Sequence, residues 1–522
     1  MGHEVVDGHT ASQDEVPQHA NASATADAYY AGSGVVDAVG PVSYERQELR
    51  ARLTPDAHGV VIVMVGLPAR GKSFISRKVE RFLQWRGFST RMFNVGKYRR
   101  DAVGPEESGR SNFYDSGNAV AMAARDRAAA AALADALAFL DGGGKFAILD
   151  ATNSTRERRK RMADAVQAHR STYSLILVEA ICDDVAIVEA NIRGKALNSP
   201  DFKHMPLEAA VADLRARIAK YEEVYQTVED GEGASIKLFN LSSKVMANHC
   251  YGRVAKSILP YLMAIHIGAR PIWLMRACSG QATAESNGYS DRMSTLSPEG
   301  RSFATGLAAF IRRRTAQYWT SIGKPQESTH ILTSTMPRAV ASVCYTTLRH
   351  EQTSALNPVD KGAIGVGWWD VECPTDKPPW QDLARYNPDF FAQWEKDPVN
   401  CRFPGGESYM DVIRRLEGLL IEVEMITKPV LIVSHVTVLQ LLVAYFRGVP
   451  VEQAWKLSVP KNTVIEVTPT TGGGFVCEEH ALQLEVEGAA APSDDGPCLQ
   501  KEGRMGTTLR EAATVKRRKQ EA

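Results

Sequence analysis

The chain contains no uninterrupted apolar run of roughly 18 residues, so no stretch of it reads as a membrane-spanning helix. No signal-peptide pattern follows Met1, and the opening Met-Gly lacks a myristoylation signal because Val6 stands where Ser or Thr is wanted. Paired cysteines are missing too. The eight present (Cys182, Cys250, Cys278, Cys344, Cys373, Cys401, Cys477, Cys498) are scattered without a C-x-x-C, which argues against a zinc site or a disulfide framework. A reducing compartment and a soluble, cytoplasmic protein are therefore expected. Nor is there an excess of charge of one sign: Lys+Arg and Asp+Glu both number 61, so no global field favours nucleic acid or an anionic membrane. Any preference for anions must be local.

With 522 residues the chain is too long for one ordinary core. Composition suggests four parts. Residues 1–57 are rich in Ala, Ser, Asp, His and Gly without a sustained period and read as a disordered arm. Residues 481–522 read the same way and end in Lys516-Arg517-Arg518-Lys519, a solvated run or a contact for an anionic surface. Between the arms, β-type apolar runs alternate with helical patterns, as in a parallel α/β sheet. Strands are expected at 60–65, 88–94, 146–150 and 173–179, and helices at 73–85, 120–140, 155–168 (capped by Asn153-Ser154), 206–225 and 255–265. Gly268-Ala269-Arg270-Pro271 looks like a junction, giving units 58–268 and 269–480. The second unit should carry strands at 272–275, 330–333 and 430–434 and helices at 298–313, 337–350, 409–426 and 437–446. Its Trp- and Pro-rich segment 362–406 reads as a long excursion over the sheet edge.

The chemistry-bearing signal is Val61-Ile62-Val63-Met64-Val65 running into Gly66, Leu67, Pro68, Ala69, Arg70, Gly71, Lys72 and Ser73, a strand that opens into G-x-x-x-x-G-K-[ST]. In that pattern backbone N–H groups cradle phosphates, Lys72 adds charge at the β/γ end and Ser73 can ligate Mg²⁺. The following helix contributes its positive end. Asp150 closes the apolar strand Phe146-Ala147-Ile148-Leu149, where it could hold Mg²⁺ directly or through water, or serve as a helix cap before Thr152 and Asn153. Arg99, Arg100, Arg125, Arg215, Arg217 and Lys220 are candidates for a phosphorylated acceptor, because guanidinium groups bind phosphate bidentately.

The succession G-L-P-A-R-G-K-S, F-N-V-G-K-Y-R-R (93–100), F-A-I-L-D-A-T-N-S-T-R-E-R-R (146–159), N-I-R-G-K-A-L-N-S-P-D-F (191–202) and R-I-A-K-Y-E (217–222) resembles the kinase domain of the 6-phosphofructo-2-kinase/fructose-2,6-bisphosphatase family. The resemblance spans residues 55–480. It implies a P-loop kinase domain followed by a phosphoglycerate-mutase-like α/β domain, ATP and Mg²⁺ as cofactors, fructose 6-phosphate as acceptor at its 2-hydroxyl, and a homodimer. It places Lys72, Asp150 and Lys195 at the catalytic centre and Asn191 with the nucleotide. Arg99, Arg100, Arg125, Thr152, Arg217 and Tyr221 then fall at the sugar phosphate. Counting back from Ser199-Pro200-Asp201, the family's lysine falls on Ala196, one place after Lys195.

In the second half, the strand Pro271-Ile272-Trp273-Leu274-Met275 ends in Arg276-Ala277-Cys278-Ser279-Gly280, where the resemblance implies Arg-His-Gly and a histidine nucleophile. Ala277 cannot accept a phosphoryl group, and Cys278 should point to another face. Arg276, Arg338, Arg402 and His435 persist, either as a binding pocket or as a packing remnant; Asp370 and Glu372 are candidates for the acid. Phosphatase activity is thus expected to be lost. A bifunctional enzyme and a non-catalytic sugar-phosphate or nucleotide sensor are the alternatives. A polynucleotide kinase is disfavoured by the neutral charge and the lack of an aromatic-basic stripe.

Overall fold

The computed structural model describes residues 58–241, 243–250, 252–266, 268–279, 296–360 and 388–482. The arm 1–57, residues 483–522 with the basic run 516–519, and the acid candidates Asp370 and Glu372 lie outside these residues; Ala481, expected to open the C-terminal arm, instead closes the last strand of the second sheet.

The first half opens with β1 (Gly59–Val65), every residue of which is buried, as an apolar run covered on both faces requires. Then follow α1 (Lys72–Trp85), β2 (Thr90–Asn94), α2 (Val95–Val103), α3 (Ala119–Asp141), β3 (Phe146–Asp150), α4 (Arg156–His169) and β4 (Tyr173–Ile181). The series ends with α5 (Val185–Asn198), α6 (Leu207–Glu222), β5 (Ser235–Phe239), β6 (Lys244–Asn248) and α7 (Arg253–Ala264). Among the described residues these strands form one six-stranded sheet in the order β2-β3-β1-β4-β5-β6, parallel except for the β5–β6 edge. Ligands of such sheets gather beyond the carboxyl ends of the central strands. That is where β1 and β3 deliver the 66–73 turn and Asp150.

The second half runs β7 (Ile272–Arg276), α8 (Pro298–Ser321), β8 (His330–Ser334), β9 (His350–Thr353), α9 (Pro388–Lys396), α10 (Tyr409–Met425), β10 (Val430–Ser434), α11 (Val436–Arg447), β11 (Thr463–Pro469) and β12 (Phe475–Ala481). Its sheet order is β12-β11-β7-β10-β8-β9, with β11 antiparallel to both neighbours. β7 and β10 lie side by side, Arg276 opposite Ser434.

Two expectations are corrected. The helix at 337–350 ends after a single short turn, Pro337–Ala341, and the chain continues through a 3₁₀ turn at Cys344–Thr346 into β9. Ser342 bonds back to the Arg338 carbonyl at 2.7 Å while accepting from the Cys278 amide, and Thr347 adopts φ 59°, so side-chain bonding and a left-handed residue outcompete the helix. The helix at 155–168 is capped by Thr155, whose side chain accepts from the Arg158 amide, and not by Asn153-Ser154.

The two sheets share one apolar cluster. Phe82 and Trp85 of α1 and Tyr261 of α7 join Leu416 and Val423 of α10 and Leu441 and Tyr445 of α11 in a single buried set. Phe82 stacks on Tyr261 with ring centroids 4.0 Å apart, and the Trp85 indole N–H donates to the Leu441 carbonyl at 2.8 Å.

Candidate active site

The 66–73 turn has the backbone that its glycines allow. Gly66 sits at φ 135°, where a Cβ would stand 2.5 Å from the Ala180 carbonyl oxygen, and Gly71 caps α1 at φ 85°. Larger residues are barred from the first position by contact and strained at the second by conformation. The Lys72 ammonium folds back onto the Leu67 carbonyl at 2.6 Å, and the Asn191 amide donates to the Ala69 carbonyl at 3.1 Å, tying α5 to the turn.

Asp150 is buried at the end of β3. One of its oxygens accepts from Ser73 Oγ at 2.7 Å and from Asn94 Nδ2 at 2.6 Å. A hydroxyl and a carboxylate at this separation form an all-oxygen, hard donor pair. That pair suits Mg²⁺, which takes few protein ligands and completes its shell with water and phosphate. Capping of α4 falls to Thr155, so the cap alternative for Asp150 is not realised there.

Beside this centre lies a second, strongly cationic pocket. Arg99 and Arg100 ride on α2, which starts at the Asn94 cap, and Arg217 comes from α6. All three converge on Asp201: Arg99 Nη2 reaches both of its oxygens at 2.7 Å, Arg217 Nη1 one at 3.0 Å and Arg100 Nη1 the other at 3.3 Å. Three guanidinium groups on one carboxylate leave a net charge of two in a buried space, a strong attraction for a phosphate dianion. Tyr114 organises the other side, with the Arg217 guanidinium 3.8 Å from its ring centroid, those of Arg99 and Arg125 5.6 Å away, and its hydroxyl accepting from Arg99. The Nε atoms of Arg99, Arg125 and Arg217 are buried without hydrogen-bond partners. Such donors are costly unless an acceptor meets them.

The titrations carry the same imprint. Burial, then the neighbouring Lys195 charge, pulls Lys72 down to about 7 despite Asp150. Burial and Arg217 bring Lys195 to about 8, and the same two causes bring Arg99 to about 10. Burial pushes the Tyr221 phenol up, but Arg217, a hydrogen bond with Thr152, and Arg125 and Arg158 bring it below its usual value.

Lys195 thus shares its field with Lys72, Asp150, Asp201, Arg99 and Arg217. Ala196, the position reached by counting, is buried in an apolar cluster with Ala69, Ile192 and Phe202. The register of α5 therefore gives the charged place to Lys195. Arg215, by contrast, pairs with Glu189 on the surface, and Lys220 with Asp115. Asp201, Tyr114 and Arg158 were not among the expected site residues, although Asp201 lies within the quoted 191–202 motif and Arg158 within 146–159.

In the second half, Ala277 follows β7 and its amide donates to the Ser434 carbonyl at 2.8 Å. His435 caps α11, with Nδ1 3.0 Å from Arg338 Nη2 and Nε2 2.9 Å from Ser334 Oγ. Arg276 ends β7 and donates to the Val459 carbonyl at 3.2 Å. Arg402 departs from the expected set: its side chain is 60% exposed and bonded to Asp411 at 2.6 Å. The Ser408–Asp411 capping box holds that carboxylate at the first turn of α10, drawing the arginine outward. Cys278 is buried in the apolar cluster of Trp273, Met275 and Phe303.

Comparison with known proteins adds family context. Residues 50–269 match the family model of 6-phosphofructo-2-kinase, and residues 272–483 that of the histidine phosphatase superfamily (branch 1). The chain is 34% identical over 453 residues to a 6-phosphofructo-2-kinase/fructose-2,6-bisphosphatase of Gallus gallus, covering 86% of this chain and 90% of that one. It is 35% identical to 6-phosphofructo-2-kinase/fructose-2,6-bisphosphatase 3 of Homo sapiens, with 82% and 77% covered. The Arabidopsis thaliana relative is also 35% identical, with 80% of this chain and 53% of that one covered. Among solved structures, the alpha-ribazole phosphatase of Shigella flexneri aligns with a TM-score of 0.32 and 20% identity, over 42% of this chain and all of the other.

Proposed function

As the chain belongs to the 6-phosphofructo-2-kinase/fructose-2,6-bisphosphatase family, we propose that its site transfers the ATP γ-phosphoryl group to the 2-hydroxyl of fructose 6-phosphate, and that its second half no longer hydrolyses the product. The observation that carries the first part is the junction of the two pockets. The Lys72–Ser73–Asp150 centre adjoins a buried carboxylate that holds Arg99, Arg100 and Arg217.

In this reading the 66–73 turn and Lys72 bind the nucleotide phosphates, Ser73 and Asp150 hold Mg²⁺, and the Asp201-anchored arginines with Arg125 and Tyr221 seat the 6-phosphate. Thr152, bonded to Tyr221, lies between the two. Mg²⁺, when bound there, would supply neutralisation of the nucleotide's phosphate charge. The protein's own contribution is alignment and fixed positive charge. The sugar hydroxyl oxygen forms the new P–O bond, the bond to the β-phosphate oxygen breaks, and ADP departs as the hydroxyl proton is released. Lys195 and Lys72 face the charge that spreads over the transferred group.

Ala277 carries the second part, since the methyl side chain offers no nucleophile and Cys278 is turned into the core. The bifunctional alternative draws on the intact Arg338–His435 pair. Purified full-length protein given ATP, Mg²⁺ and fructose 6-phosphate should form an acid-labile sugar bisphosphate; no product across varied conditions would sink the kinase reading. Bisphosphate labelled at the 2-position should keep its label on long incubation, and catalytic release of phosphate would restore the bifunctional reading.

A further inference from the structure

Where the two halves meet, α1 and α10 enclose a cavity of about 60 Å³ beside the 268–271 connection. This is room for roughly four to six waters, the size of one phosphate group or a short carboxylate. Phe74 and Lys78 of α1, Arg270, Glu424 of α10, Thr471 and Phe475 contribute to its wall.

Its charges are unevenly matched. Lys78, 2% exposed, donates to both Glu424 oxygens at 3.0 and 2.9 Å, and Glu424 also accepts from the Tyr445 hydroxyl at 2.6 Å. That carboxylate is fully engaged. Arg270, 1% exposed, donates Nε and Nη2 to the Ile426 and Val423 carbonyls at the end of α10, and its Nη1 is buried with no hydrogen-bond partner. Among the described residues no carboxylate lies within ion-pair distance of it. Glu424 acts on it only from beyond that distance while directly bonded to Lys78, and two buried cations sharing one carboxylate, one of them with a donor unused, form an unfavourable arrangement that a small anion would relieve.

We propose that this cavity is an effector site for a small oxyanion held through Arg270 Nη1, and that its occupancy is felt at the phosphate-binding turn. The route is short. Phe74 follows Ser73 directly in the first turn of α1, and the 470–474 turn closes over it, with Gly473 packed against the Phe74 carbonyl and bonded to Arg81 at 3.3 Å. An anion drawing Arg270 and the 470–474 turn together braces the start of α1 from the side opposite ATP.

The test is equilibrium dialysis of the full chain against labelled inorganic phosphate and, separately, labelled acetate, a readout independent of the kinase reading. The unaltered chain should hold one anion per chain more than either Arg270→Lys or Thr471→Phe, the latter an exposed rim position whose enlargement plugs the cavity even should the former fold poorly. Lys72→Met, which weakens phosphate binding at the nucleotide turn, should retain the extra anion. An increment with phosphate alone identifies a phosphate-type ligand, and one with acetate alone a carboxylate. Equal stoichiometry in the unaltered, Arg270→Lys and Thr471→Phe chains overturns the proposal.

Discussion

Asp201 is one carboxylate facing three guanidinium groups, and its loss should be felt through them. Asp201→Asn leaves Arg99 and Arg217 to repel one another, so the KM for fructose 6-phosphate should rise by about tenfold or more, with a smaller change in the KM for ATP. Steady-state kinetics in each substrate would check this. Lys195→Met should cost about 10²–10³ in kcat, as expected for a charge acting on the transferred group. Moving the lysine to 196 in that background should not rescue it, because Ala196 packs against apolar neighbours; recovery of turnover would reassign the role. Protonation adds a third outcome. Lys72 is held at about 7 against an ordinary 10.5, so the unfolded chain binds more protons between those values and the stability of the unliganded protein from this group rises with pH across that window. Phosphate binding demands the opposite, a charged ammonium. Nucleotide affinity should therefore weaken from pH 7 to 9, and calorimetry at pH 8 in buffers of different ionisation heats should reveal proton uptake on binding.

At the scale of elements, α1 serves two masters: its first turn carries Lys72 and Ser73, and its later turns pack on α10 and α11. Lys78→Met strands Glu424 as an unpaired buried charge and should destabilise the fold by about 3–5 kcal/mol, whereas Lys78→Met with Glu424→Leu should recover most of the loss. Denaturant titration of the single and double variants decides between these outcomes. Elements buried on both faces were plain in the sequence, as at β1, β3 and β10, because a continuous apolar run has few other uses. Half-exposed ones were not. β6 reads Lys-Val-Met-Ala-Asn with no fully buried residue, and α5 displays Val185 and Leu197 to solvent at 80% and 66% exposure, which blurs its period. The site divides similarly. The 66–73 turn is a contiguous pattern and its backbone was legible, but the placement of Asp201 and Tyr114 arises from α2, α6 and the 111–114 turn meeting in space, which spacing along the chain does not encode.

Across the whole molecule, the apolar cluster runs from β1 through α1 and α7 to α10, α11 and β10, interrupted between α1 and α10 by the buried Lys78–Glu424 pair. A chain ending at Ala269 would bare Phe82, Trp85 and Tyr261 as one patch of the kind that drives association. It should melt well below the full-length protein or aggregate, and co-expression with residues 270–482 should restore soluble kinase activity; a stable, active fragment would refute this. Ala277→His in the full chain should yield at most weak bisphosphatase activity, since Arg402 faces Asp411 and not the pocket. Phosphate release from the bisphosphate would measure it.

The stacking of Phe82 on Tyr261 and the bond from Trp85 to α11 also bear on how this chain can change. A half with a methyl group where a nucleophile is expected would, on the proposed reading, ordinarily be free to erode. This one is half of the wall behind α1, so its pocket can drift while its helices cannot: whatever becomes of its chemistry, its shape is held by the first half.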